Sequence, residues 1–520
     1  MNSRSSMHPL FFIIPVLLIA AYFTGIKLSE AMPVLLWTDA LVYLLVLSIS
    51  AFIVYASKKE HFLVPWRQVI QHKLGMVSLV FLLVYVVIGL VDSVHFRLPV
   101  NNVSEIVTAE NGAKDDTEDS NAQTAGQTAE LQYDGDVLSL LDIVLTPIRI
   151  QEEKTYSAPF ATHLFSKETV EHADGTRSRE YPRLKYAGVH LDDPEKDWST
   201  DILSKTAKGS FAGFIFWLGF VFILVGFIAV HRRDNYFATF KSMARSAKGI
   251  PWRLILITIG ILCLLAGSMI ELAPVYHVFG TDKVGQDVFY QTLKSIRTGL
   301  VIGTLTTLIM LPFAVLLGIM AGFLKGWVDD VIQYLYTTLS SIPGVLLIAA
   351  AVLMMQVYVA NHPDLFETDS ERADIRLFFL CVILGITSWT GLCRMLRGEA
   401  MKLREVDYVQ ASQAFGVSNF KIIWRHIQPN VMHIVLIAVV LDFSGLVLAE
   451  AVLSYVGVGV DPSMHSWGNL INGARLEMAR EPLVWWSLLA AFIFMFVLVL
   501  SANLFSDAVR DAFDPRIRKQ

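Results

Sequence analysis

Asp407-Tyr408-Val409-Gln410-Ala411-Ser412-Gln413-Ala414-Phe415-Gly416-Val417-Ser418-Asn419-Phe420-Lys421-Ile422-Ile423-Trp424-Arg425-His426-Ile427-Gln428-Pro429-Asn430 is a polar stretch set between two long apolar runs, near 375–396 and 431–456. It reads as helix, turn, helix. Gly416 stands where the first helix should stop, because glycine takes the left-handed conformation that closes a helix C-terminus. Ser418 follows in the position of an N-cap for the second helix. Pro429 marks the start of the next apolar run. A short helical element held between two membrane-length runs has the makings of a plug for a partner protein.

The rest of the chain agrees that those runs are membrane spans. Of 520 residues, 54% are hydrophobic and 17% charged, with a mean hydropathy of +0.52, and a soluble core could not hide that much apolar surface. Each crossing needs ~20 apolar residues. Such runs lie near 10–26, 38–56, 74–94, 211–230, 252–272, 299–322, 331–358, 375–396, 431–456 and 483–505. Runs this long without strict alternation predict helices rather than barrel strands. The fold class expected is therefore an all-α polytopic membrane protein. The first run resembles a signal peptide, but no clear small-x-small cleavage site follows it, and it reads as a retained signal-anchor helix.

Basic residues of the short loops set the orientation. Lys58, Lys59, Arg67 and Lys73 lie between the second and third runs, and Arg232, Arg233, Lys241, Arg245, Lys248 and Arg253 precede the fifth. Arg394, Arg397, Lys402, Arg404, Lys421 and Arg425 flank or occupy the 407–430 stretch, and Arg510, Arg516, Arg518 and Lys519 form the tail. With ten crossings and both termini cytoplasmic, every cluster falls on the cytoplasmic side. The loop from about 95 to 210 is then exported. Its tract from Ser104 to Asp136, rich in Asp, Glu, Ala, Gln, Thr and Ser, is expected to be disordered or loosely held. Beyond it, Asp174-Gly175 predicts a hairpin turn within a small α+β patch. The net charge of −5, basic inside and acidic outside, places the chain in a lipid bilayer and argues against nucleic acid as a partner. Cys263, Cys381 and Cys393 all fall in predicted spans, so no disulfide staples the exported loop.

Three segments carry a family resemblance. In the 407–430 stretch Gln410, Ala411 and Ser412 precede Gly416 by the same interval, and Gly416 precedes Pro429 by the same interval, as in a Glu-Ala-Ala, three residues, Gly, nine residues, Ile, one residue, Leu-Pro pattern. Gln410, Ser412, His426 and Gln428 depart from its residue types. Arg425-His426-Ile427-Gln428-Pro429-Asn430 is similar to an Arg-His-x-x-Pro-Asn ending. Gly280-Thr281-Asp282-Lys283-Val284-Gly285-Gln286-Asp287 is similar to Gly-Thr-Asp-x-x-Gly-Arg-Asp, with Gln286 in place of Arg. Glu450 through Gly459, followed by Ser466-Trp467-Gly468, is similar to a Glu-x-x-Leu-Ser-Phe-Leu-Gly-x-Gly segment and its Ser-Trp-Gly. Together these resemble the permease subunits of bacterial ABC importers, in the dipeptide, oligopeptide and nickel branch, over roughly residues 245 to 520.

The resemblance implies a type I importer core of six helices from about Pro251. Four extra N-terminal helices and the exported loop precede it, so the organisation expected is 1–94, 95–210, 211–250 and a core of 251–520. It implies a second homologous permease, two ABC ATPase subunits and a periplasmic or lipid-anchored substrate-binding protein as partners. The 407–430 stretch becomes the coupling helix that docks in an ATPase groove. Asp407, Tyr408, Gln410, Ala411, Ser412, Ala414, Phe415, Gly416, Arg425 and Pro429 are its candidate residues: the small ones permit close approach, and Tyr408 and Phe415 can anchor as buried aromatics. The bland alternative is an ordinary amphipathic loop. No Gly-x-x-x-x-Gly-Lys-Ser/Thr phosphate loop, His-Glu-x-x-His, Cys-x-x-Cys or Gly-x-Ser-x-Gly is present. The chain is thus expected to be no enzyme and to bind no cofactor, with ATP and magnesium held by partner ATPases. His277, His426, His433 and His465 lack metal-ligand spacing.

Other candidates divide between function and packing. Phe279 to Arg297 is expected as a short helix along the outer surface, an elbow near which a binding protein docks, with Gly280, Thr281, Asp282, Gly285 and Asp287 holding it through capping. Asp442 and Glu450 are acids inside a span, which are costly and usually functional. Asp442 either faces the translocation path or pairs with a partner permease. Glu450 either holds the irregular outer loop from Tyr455 to Gly468 or meets substrate. Pro343 is a hinge or a simple kink. Gly299/Gly303, Gly318/Gly322 and Gly322/Gly326 have the spacing of close helix packing. The substrate class stays open between peptides and nickel or another small solute, and a scaffold or sensor that has lost transport is the reading from another class.

Overall fold

The computed structural model describes residues 31–57, 60–99, 133, 135–171, 177–244, 249–366 and 368–513. The run near 10–26, nearly all of the tract 104–136 and the turn at Asp174-Gly175 lie outside the described residues. Strand β1 (Met32–Val34) leads into α1 (Trp37–Ala56), followed by α2 (Glu60–Gln71), α3 (Lys73–Asp92) and β2 (His95–Arg97). β3 (Leu138–Ser139), α4 (Leu140–Val144), α5 (Thr146–Arg149) and the strands β4 (Glu168–Glu171) and β5 (Arg177–Glu180) come next. The antiparallel pairing of Glu171 with Arg177 brackets the expected hairpin turn. α6 (Pro194–Arg232), α7 (Tyr236–Ala244) and α8 (Trp252–Leu272) lead to α9 (Val288–Leu324), α10 (Trp327–Ser341), α11 (Gly344–Asn361) and α12 (Asp369–Arg404). The chain closes with α13 (Asp407–Ala414), α14 (Asn419–Ile422), a π turn (Ile423–Ile427), α15 (Gln428–Tyr455), α16 (Trp467–Glu477) and α17 (Trp486–Phe513).

Among the described residues, nine helical stretches are long and apolar enough to cross a membrane. In hydrocarbon the helix satisfies every backbone group within one segment. Three of these stretches, in α1, α3 and α6, precede Pro251, and six follow it, α14 and α15 counting as one continuous stretch. The protein is an all-α polytopic membrane protein, with small antiparallel sheets confined to the segments between helices.

Three expectations change. The run 331–358 is two helices, not one. Pro343 has no N–H to donate and pushes its predecessor out of the helical region, so Ile342 is extended (φ −87°, ψ 134°) and α11 starts anew at Gly344. Phe279 to Arg297 is not a short surface helix. Residues 279–287 form a turn, and α9 then runs for 37 residues because Asp287 caps it and its one interior proline, Pro312, comes only deep within the apolar run. α6 begins at Pro194, with proline in the first turn where its missing N–H costs nothing, so the expected boundary near 210 falls inside a helix.

Packing separates the molecule into two ends. α9 and α12 run side by side, and at Gly322 the approach is so close that a Cβ would lie 2.4 Å from the Arg397 carbonyl oxygen. At one end, Val69 packs with Val509 and Ala512, which brings Arg67 beside the C-terminus of α17. The 407–430 stretch lies at this same end, since Val409 and Ile422 pack with Leu396, Ala400 and Phe323. At the opposite end lie the elbow, the β-strands and residues 137–193.

Candidate functional site

The 407–430 stretch forms a stiff projection. α13 ends at Phe415, Gly416 adopts φ +71°, and the Val417 N–H bonds back to the Ser412 carbonyl at 3.1 Å, a glycine C-cap. Ser418 occupies the N-cap position of α14, but its side chain makes no cap bond. Pro429 stands one residue into α15, just after the π turn. Its ring disfavours a tight turn against Arg425, so the helix widens there rather than breaking. Val409, Ile422, Ile427 and Val431 are buried at the base. The tip is the reverse: Phe415 is 88%, Phe420 76% and Trp424 59% exposed, and the rings of Phe420 and Trp424 stack on each other. Tyr408 accepts a hydrogen bond from the Asn430 amide at 2.9 Å, joining the two helices. Gln410, standing where the pattern has an acid, donates to Glu405 at 3.3 Å, and Glu405 pairs with Arg404 at 3.0 Å. Ala411, Ser412 and Ala414 sit on α13 between these contacts.

At the elbow, Asp287 is the organising group. One oxygen caps α9 through the N–H groups of Phe289 (2.7 Å) and Tyr290 (3.2 Å), and the other holds His277 Nδ1 at 2.6 Å. Asp282 accepts from the backbone of Val284 and Gln286. The segment after α5 clamps down on this turn. Thr281 Oγ1 accepts from the Ser157 N–H at 2.7 Å and donates to the Thr155 carbonyl at 2.8 Å. The Glu153 N–H donates to the Gly285 carbonyl at 3.0 Å. Glu153 itself is buried, takes N–H bonds from Lys185, Tyr186 and Ala187, and lies 3.6 Å from His277 Nε2. Burial opposes a charge on His277, but Asp287 and Glu153 outweigh it and hold the imidazole up at about 9. Burial likewise opposes charge on Glu153, yet His277 and the three amides keep it below the ordinary carboxylate range. Gly280 is equally enclosed, with the Ser157 carbonyl oxygen 2.4 Å from where its Cβ would be.

The acids inside α15 differ sharply. Glu450 is buried and accepts from Ser454 Oγ at 2.7 Å, and Ser454 Oγ accepts from the Val460 N–H at 3.3 Å, tying α15 to the outer loop. Asp442, half-buried, has no hydrogen-bond or ion-pair partner among the described residues.

Sequence reasoning missed a cluster that joins the two halves of the chain. Lys294 of α9 contacts Asp92 at 2.6 Å and Asp142 at 3.1 Å. One turn on, Arg297 contacts Asp39 at 2.6 Å and Asp374 at 3.6 Å. Asp374 also takes hydrogen bonds from the hydroxyl and N–H of Thr38. Asp142 forms a capping box with Ser139 at the start of α4. Burial would raise it, but Lys294 and these bonds hold it down to about 2. The available signal was the recurrence of acids at span ends on the elbow side, opposite two bases near the start of α9.

Known proteins match the second half of the chain. Residues 314–519 match the family described as binding-protein-dependent transport system inner membrane component. A dipeptide transport system permease protein of Lactococcus lactis is 31% identical over 240 residues, covering 46% of this chain and 64% of that protein. An oligopeptide transport system permease protein of Mycobacterium tuberculosis is 32% identical over 242 residues, covering 46% and 77%. A solved structure of the MetNI methionine ABC transporter in an inward-facing conformation is 16% identical with a TM-score of 0.31, covering 42% of this chain and 93% of that one. The chain, with its multi-pass helical fold, belongs to the family of inner membrane components of binding-protein-dependent transport systems.

Proposed function

We propose that this chain is a permease subunit of an ATP-driven importer of di- or oligopeptides. It lines the path together with a second permease, receives substrate from a binding protein at the elbow end, and couples to two separate ATPases through α13 and α14. The observation that carries the reading is the exposed tip of Phe415, Phe420 and Trp424 on a stiff, buried base. Aromatics of that size exposed together on a soluble-facing projection favour a partner pocket. Because Val409, Ile422 and Ile427 pack into one cluster with Phe323, Tyr336 and Leu396, a push on the tip moves the ends of α9, α12 and α15 as a unit, close-packed interiors transmitting displacement rather than absorbing it. Arg67, Arg397, Lys421 and Arg510 gather at this end, which supports a cytoplasmic placement for it and for the C-terminus. A tenth span before β1 would put the N-terminus there too.

The peptide substrate rests on what the similar permeases are named for. The test is purification of the tagged chain in mild detergent and an ATPase assay of the complex with and without Gly416→Asp. Co-purified ATPases whose activity drops with Gly416→Asp are expected. A chain that brings down no ATPase, or a complex indifferent to Gly416→Asp, contradicts the reading.

A further inference from the structure

A cavity of about 590 Å³ opens at the elbow end, between the elbow turn, α11, the start of α12, the outer loop and α16. Its size suits a small ligand, and its lining mixes apolar surface with polar groups that have hydrogen-bonding capacity left over. Glu477 is 6% exposed. Its Oε1 accepts from Tyr156 at 3.3 Å, while its buried Oε2 has no partner. Arg376 is paired through Nη1 with Asp461, while its buried Nε–H has none. Ser487 Oγ, also buried, stands beside Glu477. Gln356 and Asn472, on two other walls, have no hydrogen bond among the described residues. Buried polar atoms without partners are costly and uncommon. Here an acceptor oxygen, a cationic N–H and two free amides share one cavity.

That set is complementary to an ammonium group, a carboxylate and the amides between them. We propose that this cavity is a binding site for a short peptide in its zwitterionic form, with Glu477 receiving the N-terminal ammonium, Arg376 facing the carboxylate, and Gln356 and Asn472 meeting backbone amides. The proposal rests on the peptide-importer reading and adds a second point of selection, within the permease itself. A free amino terminus is favoured because an ammonium gives the Glu477 carboxylate a charged donor, whereas an acetylated terminus offers only a neutral amide N–H.

The test is calorimetric titration of the full chain, with whatever subunits co-purify, in lipid nanodiscs without ATP or binding protein. The probes are trialanine, its N-acetyl derivative and its C-terminal amide. Trialanine is expected to bind, the N-acetyl derivative at least about tenfold more weakly, as for loss of one partner of a buried charge pair. In Glu477→Gln, where the side chain keeps its shape and its Tyr156 contact, that preference is expected to disappear. Equal binding of trialanine and N-acetyl-trialanine by the unaltered protein overturns the proposal without any reliance on a variant, and so does a preference that survives in Glu477→Gln. Peptide uptake by cells carrying the complex is measured in parallel. Uptake with a failed titration removes the cavity site and leaves the importer, whereas no uptake of any peptide removes both.

Discussion

Replacing Gly285 with alanine tests whether the segment after α5 is truly locked onto the elbow. Gly285 has φ +83°, and a Cβ there would stand 1.7 Å from the Glu153 carbonyl oxygen, about half an ordinary carbon–oxygen contact. Two costs add. A Cβ in left-handed backbone costs roughly 1–2 kcal/mol. Clearing the oxygen needs a retreat of ~1.5 Å, which breaks the Glu153 to Gly285 backbone bond and loosens the amides on the Glu153 carboxylate. At about 1 kcal/mol for the neutral bond and roughly 1.5–3 for a bond to a charged group, the total comes to ~3.5–6 kcal/mol. Gly416→Ala is the matched control. It has a similar φ of +71° and nothing within 4 Å of the new Cβ, so it carries only the backbone cost of ~1–2 kcal/mol. Thermal unfolding in detergent, followed by tryptophan fluorescence, should place Gly285→Ala several degrees below Gly416→Ala. Limited proteolysis should newly cut residues 137–193 in Gly285→Ala alone. Equal midpoints with the same protease pattern would refute the locked elbow.

Three further outcomes follow from the charges. His277 is held at about 9, above its unfolded value, so its contribution is complete below about pH 6.5 and fades as pH rises through 9. Unfolding midpoints should fall between about pH 6.5 and 9, and His277→Asn should flatten that limb; a fall of the same size in His277→Asn would discount the assignment. Lys294→Met leaves Asp92 and Asp142 buried without their cation and should cost ~3–5 kcal/mol. Adding Asp92→Asn should recover part of the loss in the same unfolding assay, and no recovery would mean the pair is not coupled. Asp442→Asn removes a charge that is costly inside a span and breaks no contact among the described residues, so the unfolding midpoint should hold or rise, and a clear drop would reveal a contact made within the chain.

Which features could be read in advance follows from the range of the interaction behind each. Hydropathy is a local property of a run of residues, so most of the described spans, their helical form and the turn at Gly416 between two of them are legible in the residues alone. The run 331–358 is the exception, since its hydropathy reads as one span while Pro343 divides it into two helices. The extent of α9 and α6 was less legible, because their polar first turns carry no membrane signal and are stabilised by caps and by contacts with distant segments. That Glu153 closes over Gly285, that Asp39 and Asp92 neutralise Arg297 and Lys294, and that Glu477 and Arg376 share a cavity emerges once the helices and loops are packed together. Each of those pairs brings together residues far apart in the chain, at an end where loops rather than periodic helices set the geometry. Charge in a sequence says that a partner is needed once the group is buried; which residue supplies it is settled by how the helices pack.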